Sequence, residues 1–144
     1  MILIDANLLL YAYHPRSEYH ERSRTWLESV LSGRDLVRLA WMTVWAFLRI
    51  GTNPRVFERP LTIAEAESHV SRWLALPAVD VLEPGDRHWD ILRELLRTGQ
   101  VSGALLMDAA LAAIAIEHGA TLFTSDRDFT RFPGLKTSNP LLDQ

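Results

Sequence analysis

Aspartates are the residues of this 144-residue chain whose type and spacing could do chemistry. Asp5 directly follows the first apolar run, and Asp126 comes two residues after the last clear apolar run. Asp108 interrupts a long stretch of alanine and leucine, and Asp128 lies two residues beyond Asp126. An ionised carboxylate in apolar surroundings is costly unless it is paired or bound to a metal ion. These four residues are therefore candidate metal ligands.

Each aspartate also has a purely structural explanation. Asp5 could cap a short helix that begins near Asn7. Asp126 and Asp128 could be turn residues, and Asp108 could pair with a buried arginine. These explanations apply to one residue at a time. Convergence of several carboxylates on one place is harder to explain in this way, because like charges repel unless a cation lies between them.

Hard oxygen ligands favour Mg²⁺, with Mn²⁺ as an alternative. The chain has no cysteine, so thiolate metal sites, disulfides and thiol nucleophiles are excluded. The histidines are scattered and form no HxxxH pair: His14, His20, His69, His88 and His118. No GxGxxG, Walker A or GxSxG motif occurs. The sequence therefore gives no support for dinucleotide, P-loop or serine-hydrolase chemistry.

The apolar pattern predicts short strands that alternate with longer amphipathic helices. The predicted strands cover residues 2–4, 36–40, 79–82 and 121–124, with an edge strand at 135–137. The predicted helices cover residues 18–32, 42–51, 62–74, 84–98 and 103–118. This order predicts an α/β fold, a mainly parallel central sheet with helices on both faces. We found no repeat or linker, so a single domain over residues 1–144 is expected.

The predicted topology brings the aspartates to one edge of the sheet. Asp5 and Asp126 follow the carboxyl ends of buried strands, which is where ligands bind in open α/β sheets. A crossover helix begins at that same edge, and Asp108 lies in the first third of its helix. Two helix ends are also recognisable. Thr62 and Glu65 have the spacing of a capping box, and Gly119 is placed to end the last long helix.

The helix at 42–51 is apolar nearly all round, which predicts that it is buried or lies in an interface. The aromatic residues in and beside it are Trp41, Trp45 and Phe47. Core packing is the favoured interpretation of these rings. A platform for stacking RNA bases and a contact with a protein partner are the alternatives.

The formal net charge of −3 argues against a protein that coats DNA in general. It does not exclude a nuclease, since fourteen of the fifteen basic residues are arginines, which bind phosphate well. No apolar run approaches the length of a membrane span. Residues 1–5 resemble no signal peptide, so a cytoplasmic location and no membrane partner are expected.

Three segments resemble the PIN-domain nucleases. They are the Ile-Asp-Ala-Asn sequence at 4–7, the helix at 107–115 and the Thr-Ser-Asp-Arg-Asp-Phe sequence at 124–129. A further segment at 47–57 resembles a subgroup of VapC toxins from VapBC toxin–antitoxin modules. The resemblance covers essentially the whole chain. It implies a PIN-like three-layer sandwich, Mg²⁺-dependent cleavage of RNA, a cognate antitoxin and a homodimer.

The resemblance also implies roles for individual residues. Asp5 and Asp108 match the principal metal-binding acids, and Asp126 matches a further acidic or polar position after the last central strand. Asn7 matches the small polar residue that supports the first aspartate. One departure concerns a glutamate that the family commonly carries near Ala46, because this chain has no acid between Asp35 and Glu58.

Three arginines are candidates for contacts with the RNA backbone: Arg49, Arg55 and Arg59. Arg49 could instead pair with a carboxylate of the site. Two other functions compete with cleavage. One is a catalytically weak or inactive PIN-like module that acts by binding RNA or a protein. The other is a receiver-like phosphorylation domain, which requires a lysine at a late strand end. The single lysine, Lys136, lies almost at the C-terminus.

Overall fold

A computed structural model describes residues 1–142 of the chain. Its strands are β1 (Ile2–Ile4), β2 (Val37–Ala40), β3 (Val79–Leu82), β4 (Thr121–Phe123) and β5 (Lys136–Ser138). Its α-helices are α1 (Ala6–Tyr13), α2 (His20–Leu31), α3 (Trp41–Gly51), α4 (Ile63–Leu74), α5 (His88–Thr98) and α6 (Leu105–His118). A short 3₁₀ helix covers Arg127–Arg131. None of the helices in this part of the chain is long and apolar enough to cross a membrane.

The five strands form one parallel sheet in the order β3-β2-β1-β4-β5. The chain first adds strands on one side of β1 and then crosses to its other side with β4. The strand order therefore reverses between β1 and β4, whose last residues Ile4 and Phe123 are register partners. In doubly wound sheets this reversal opens a crevice beyond the carboxyl ends of the two strands, where ligands bind.

Helices cover both faces of the sheet and give two hydrophobic cores. Side chains alternate between the two faces along each strand, so Ile2 and Ile4 pack into one core and Leu3 into the other. Helices α1 to α4 cover the first face, with Phe47 fully buried there. Helices α5 and α6 cover the second face. The predicted three-layer α/β sandwich is confirmed.

Both recognised helix ends have the expected geometry. Thr62 Oγ1 accepts a hydrogen bond from the Glu65 amide, and Glu65 Oε1 accepts one from the Thr62 amide. Gly119 follows α6 with φ of 68°, a left-handed conformation that glycine adopts without steric cost. These local signals therefore fix where α4 begins and where α6 ends.

Two expectations about helices differ from the structure. The helix expected from residue 84 begins at His88, because Glu117 accepts hydrogen bonds from the Gly85 and Arg87 amides and holds this stretch as a loop. For the helix now called α3, full burial is excluded, and the alternative that it lies in an interface stays a prediction. Its Phe47 belongs to the core, but Trp45 is 63% exposed and Trp41 is 39% exposed. Periodicity could not reveal this, since nearly every residue of α3 is apolar.

Candidate metal centre

Asp5 lies at the junction of β1 and α1, where it is held by two hydrogen bonds. Its Oδ1 accepts from the Ala6 amide at 2.7 Å, and its Oδ2 accepts from the Thr124 hydroxyl at 2.7 Å. The Asp5 amide donates to the carbonyl of Phe123, which continues the pairing of β1 with β4. Asp5 does cap α1, as its structural explanation predicted. The cap also fixes the carboxylate at the point where the strand order reverses.

Thr124 connects the two strand ends, and sequence reasoning did not single it out. Its buried hydroxyl donates to Asp5 and accepts from the Asp126 amide at 3.0 Å. The Asn7 side-chain amide approaches the same oxygen at 3.4 Å. The signal for this role was present, because a threonine directly after a buried strand is well placed to bond an aspartate after the neighbouring strand.

Asn7 supports the loop after β4 from the first turn of α1. Its Nδ2 donates to Ser125 Oγ at 2.9 Å. Its Oδ1 is buried and has no hydrogen-bond partner within residues 1–142. Within residues 1–142 the Asn7 side chain thus bonds the loop after β4 and not Asp5 itself, so the support of Asp5 that the family resemblance implied for Asn7 stays a prediction.

Asp126 and Asp128 belong to the turn that follows β4. Asp126 Oδ1 accepts from the Asp128 amide at 2.9 Å and caps the 3₁₀ helix. Asp108 comes to the same place from the first turn of α6. One carboxylate oxygen from each of the three aspartates lies within 4.8 Å of the others. The structure therefore brings these three predicted residues together, whereas Asp5, the fourth predicted ligand, lies outside this group and shares a groove with Asp108.

The pKa of Asp108 is raised to about 6, mainly by burial and further by the negative charges of Asp126, Asp5 and Asp128, against a lowering by Arg131. Burial also raises the pKa of Asp5, and the charge of Asp126 adds to that effect, while the hydrogen bonds from Thr124 and Ala6 oppose it. Asp108 forms no ion pair within residues 1–142. Pairing with a buried arginine therefore does not explain Asp108.

The donor set fits a divalent cation that prefers oxygen ligands. Asp108, Asp126 and Asp128 supply oxygen donors without a nearby histidine or cysteine. Mutual repulsion among Asp108, Asp126 and Asp5 is what a cation would relieve. Such all-oxygen sets suit Mg²⁺ or Mn²⁺.

A groove of about 250 Å³ runs beside Asp5 and Asp108, and α3 forms its opposite wall. Ala46 lines this wall, at the position near which the family commonly has a glutamate. The α3 wall therefore supplies a methyl group and no further carboxylate, as the sequence indicated. Arg49 and Trp45 line the same groove.

The three candidate RNA-binding arginines do not lie together. Arg49 lines the groove beside Asp5 and Asp108. Arg55 lies exposed in the turn after α3, where its amide donates to Asn53 Oδ1. Arg59 lines a different and larger cavity of about 480 Å³, together with Arg16. Only Arg49, of the three, shares a cavity with the acidic centre.

The fold and the site thus define an α/β protein with an acidic, oxygen-only centre at the carboxyl edge of a parallel sheet. A family model described as the PIN domain matches residues 2–135. Ribonuclease VapC37 of Mycobacterium tuberculosis is 42% identical over 140 residues, covering 97% of each chain. Ribonuclease VapC33 of the same species is 40% identical, covering 98% of this chain and 99% of the relative. The chain belongs to the PIN-domain family and to its VapC group.

Solved structures agree on the fold. A toxin–antitoxin complex from Klebsiella pneumoniae contains a chain that superposes with a TM-score of 0.64 and 16% sequence identity. The alignment covers 97% of this chain and 98% of that chain. At this sequence identity the similarity establishes a common fold alone. The function has to be argued from the residues of the site.

Proposed function

We propose that this protein is a metal-dependent endoribonuclease that acts as the toxin of a toxin–antitoxin pair. The observation that carries the proposal is the approach of Asp108, Asp126 and Asp128 to within 4.8 Å, next to Asp5. Unpaired carboxylates at such distances are expected where a divalent cation is bound. The relatives described above are named ribonucleases, which supports RNA as the substrate.

Asp5 and Asp108 would hold the ion, with Asp126 completing the site and Asp128 as a fourth ligand. We propose Mg²⁺, with Mn²⁺ as an alternative. When bound, such an ion lowers the pKa of a coordinated water and offsets the negative charge that develops on a phosphodiester during hydrolysis.

The protein's own groups would position this centre and the substrate. Thr124 donates to Asp5 Oδ2 and so turns the other oxygen of the carboxylate toward the Ala6 amide. Asn7 ties α1 to the loop that carries Asp126. Arg49, at the other wall of the groove, is placed to bind a phosphate of the RNA backbone. With Ala46 in that wall, the ion would be held by aspartates from the β1, β4 and α6 side alone.

Three partners follow from this proposal: an RNA substrate, a cognate antitoxin and a second copy of the chain. The antitoxin is supported by the fold shared with a chain of a toxin–antitoxin complex. The homodimer rests on the family resemblance. Size-exclusion chromatography with light scattering would measure the state of the isolated protein.

Cleavage of total RNA by the purified protein tests the function. We expect discrete products with Mg²⁺, none with EDTA, and none with Asp5→Asn or Asp108→Asn. Asp86→Asn is the matched control, because Asp86 is exposed and lies in the loop before α5. It should cleave as the wild type does.

Intact RNA in every reaction, from protein that folds and binds Mg²⁺, would contradict the nuclease proposal and favour the inactive binding module. Cleavage that survives Asp5→Asn and Asp108→Asn would show that the reaction occurs elsewhere. Circular dichroism of each variant would separate loss of activity from loss of folding.

A further inference from the structure

Trp45 is an exposed aromatic residue on α3, a helix made mostly of apolar residues. It is 63% exposed, whereas Phe47, two residues later, is fully buried. Apolar side chains that are exposed together and rimmed by polar residues commonly mark a binding surface, and Trp45 shares its groove with Met107, which is 54% exposed. The indole of Trp45 therefore needs an explanation other than core packing.

The position of Trp45 relates it to the acidic centre. Trp45 lines the groove that also contains Asp5 and Asp108, with the apolar side chains of Met42 on α3 and Met107 on α6 lining it as well. Trp41, one turn earlier, does not line this groove; it borders a neighbouring depression with Leu82 and Pro84, which Trp45 also borders. Trp45 is thus the tryptophan that faces the site.

Arg49 follows Trp45 by four residues on α3, so the two side chains lie on the same face of the helix. Arg49 is exposed, and within residues 1–142 it forms no ion pair or side-chain hydrogen bond. A free guanidinium next to an exposed indole offers two complementary contacts. The first suits an anionic phosphate, and the second suits a flat apolar ring.

Single-stranded RNA presents both of these groups at each nucleotide. Proteins that bind single strands combine a cation for the backbone with an aromatic ring on which a base stacks. We propose that Trp45 stacks on a nucleobase of the RNA while Arg49 binds an adjacent phosphate, which together direct the strand toward Asp5 and Asp108. This inference rests on the proposed function, since it assigns residues that position the substrate of that reaction.

The absence of a carboxylate at Ala46 fits this role. Ala46 lies between Met42 and Arg49 on the groove wall. A glutamate there would place a negative charge close to the bound backbone, whereas a methyl group leaves an apolar surface beside the indole. The α3 wall is therefore suited to the RNA strand, and the opposite wall to the ion.

The test measures binding separately from cleavage. Binding is measured by fluorescence anisotropy in EDTA, with two probes of equal length. One is a single-stranded oligoribonucleotide pool of mixed sequence, and the other is an abasic ribose-phosphate oligomer. Trp45→Ala should weaken binding of the first probe by roughly tenfold or more and leave binding of the abasic oligomer nearly unchanged. Trp45→Tyr should restore much of the affinity because it keeps an aromatic ring.

Trp89→Ala is the matched control, because Trp89 is 60% exposed on α5 and does not line the groove. It should bind both probes as the wild type does. Arg49→Gln should weaken binding of both probes, since both carry the phosphates. Because EDTA prevents metal-dependent cleavage, a failure of the nuclease proposal would leave these affinities measurable.

Three results would overturn the proposal. Trp45→Ala could bind both probes like the wild type, or lose both equally, and in either case no base stacks on Trp45. A loss of binding that accompanies a changed oligomeric state in light scattering would place Trp45 in a contact between copies of the chain.

Discussion

Single side chains at the carboxyl edge of the sheet combine structural and chemical tasks. Asp5 caps α1, and its negative charge helps to raise the pKa of Asp108. Asp126 caps the 3₁₀ helix and also lies in the group of three aspartates with Asp108 and Asp128. The structural and the metal-site explanations of these residues are therefore compatible. Because the caps use backbone amides, they fix each carboxylate before any ion binds, which lowers the entropy cost of binding.

Thr124 should be essential to this arrangement through its hydroxyl. Thr124→Val keeps the shape but leaves Asp5 Oδ2 and the Asp126 amide without their buried partner. Unsatisfied buried groups cost about 1–3 kcal/mol. We expect the free energy of unfolding to fall by about that amount in urea denaturation, with a higher Mg²⁺ requirement for cleavage.

Thr124→Ser is the matched control, since it keeps the hydroxyl and removes one methyl group. It should retain the Mg²⁺ requirement of the wild type. Equal behaviour of the serine and valine variants would mean that the hydroxyl has no role in the site.

Asp108 should make the metal-free protein less stable near neutral pH. Its folded pKa of about 6 exceeds the ordinary value of 3.8, so ionisation is less favourable in the folded state. The resulting loss of folding stability is absent below about pH 3.8, grows between about pH 3.8 and pH 6, and is complete above pH 6. In EDTA at pH 7, Asp108→Asn should raise the free energy of unfolding by on the order of 1 kcal/mol, after allowance for solvent screening.

Denaturation of the wild type and Asp108→Asn at several pH values would measure this difference, which should shrink as the pH falls from 6 toward 4. Asp86→Asn provides the control for removing an exposed aspartate. A difference that stays constant over this range would contradict the raised pKa.

At the scale of elements, α3 and α6 form the two walls of the groove. Helix α6 is rich in alanine, and Ala109, Ala112 and Ala113 are completely buried against the sheet. Small side chains let the helix lie close to the strands, which brings Asp108 near the turn that carries Asp126. Helix α3 buries Phe47 on one side and presents Trp45 and Arg49 on the other.

The capping box of α4 should contribute measurably to stability. Thr62→Ala removes the hydrogen bond from the Glu65 amide to Thr62 Oγ1. We expect the free energy of unfolding to fall by about 1 kcal/mol, as for other N-caps. Thr25→Ala, on the exposed face of α2, is the control and should have a smaller effect of either sign, because it removes no cap. Urea denaturation of both variants would measure this, and equal losses would contradict the capping role.

At the scale of the whole molecule, the parallel topology assembles the site. Asp5, Asp108 and Asp126 are separated by more than a hundred residues at the extremes, yet the reversal of strand order between β1 and β4 brings them to one crevice. Two cores on opposite faces of one sheet hold this arrangement. A cation bound at that crevice would therefore join the first and the last parts of the chain.

Metal binding should for this reason stabilise the entire molecule. A ligand that binds only the folded state raises its stability with increasing concentration. In thermal denaturation we expect one cooperative transition, consistent with a single domain over residues 1–144, and a midpoint that rises with Mg²⁺ and returns to its starting value with EDTA. Asp108→Asn should respond less to Mg²⁺. Two separate transitions would contradict the single-domain prediction, and an unchanged midpoint would contradict the metal site.

Much of the fold could be read from the sequence because its signals are local. The short apolar segments that form β1 to β4, the Thr62–Glu65 capping box and the glycine after α6 depend on neighbouring residues alone. The order of strands and helices also predicted that Asp5, Asp108 and Asp126 lie at the same edge of the sheet. The segments shared with the PIN-domain family predicted the family to which the chain belongs.

Contacts between distant segments were decided by the tertiary structure. The Thr124 hydroxyl became the link between Asp5 and Asp126 only when β4 paired with β1, and Arg49 and Arg59 were directed to different cavities. The tertiary structure also decides the exposure of Trp45, because the sequence of a mostly apolar helix does not reveal which side packs against the core. Sequence spacing sets which residues share a face of one element, whereas the packing of elements against one another sets what that face contacts.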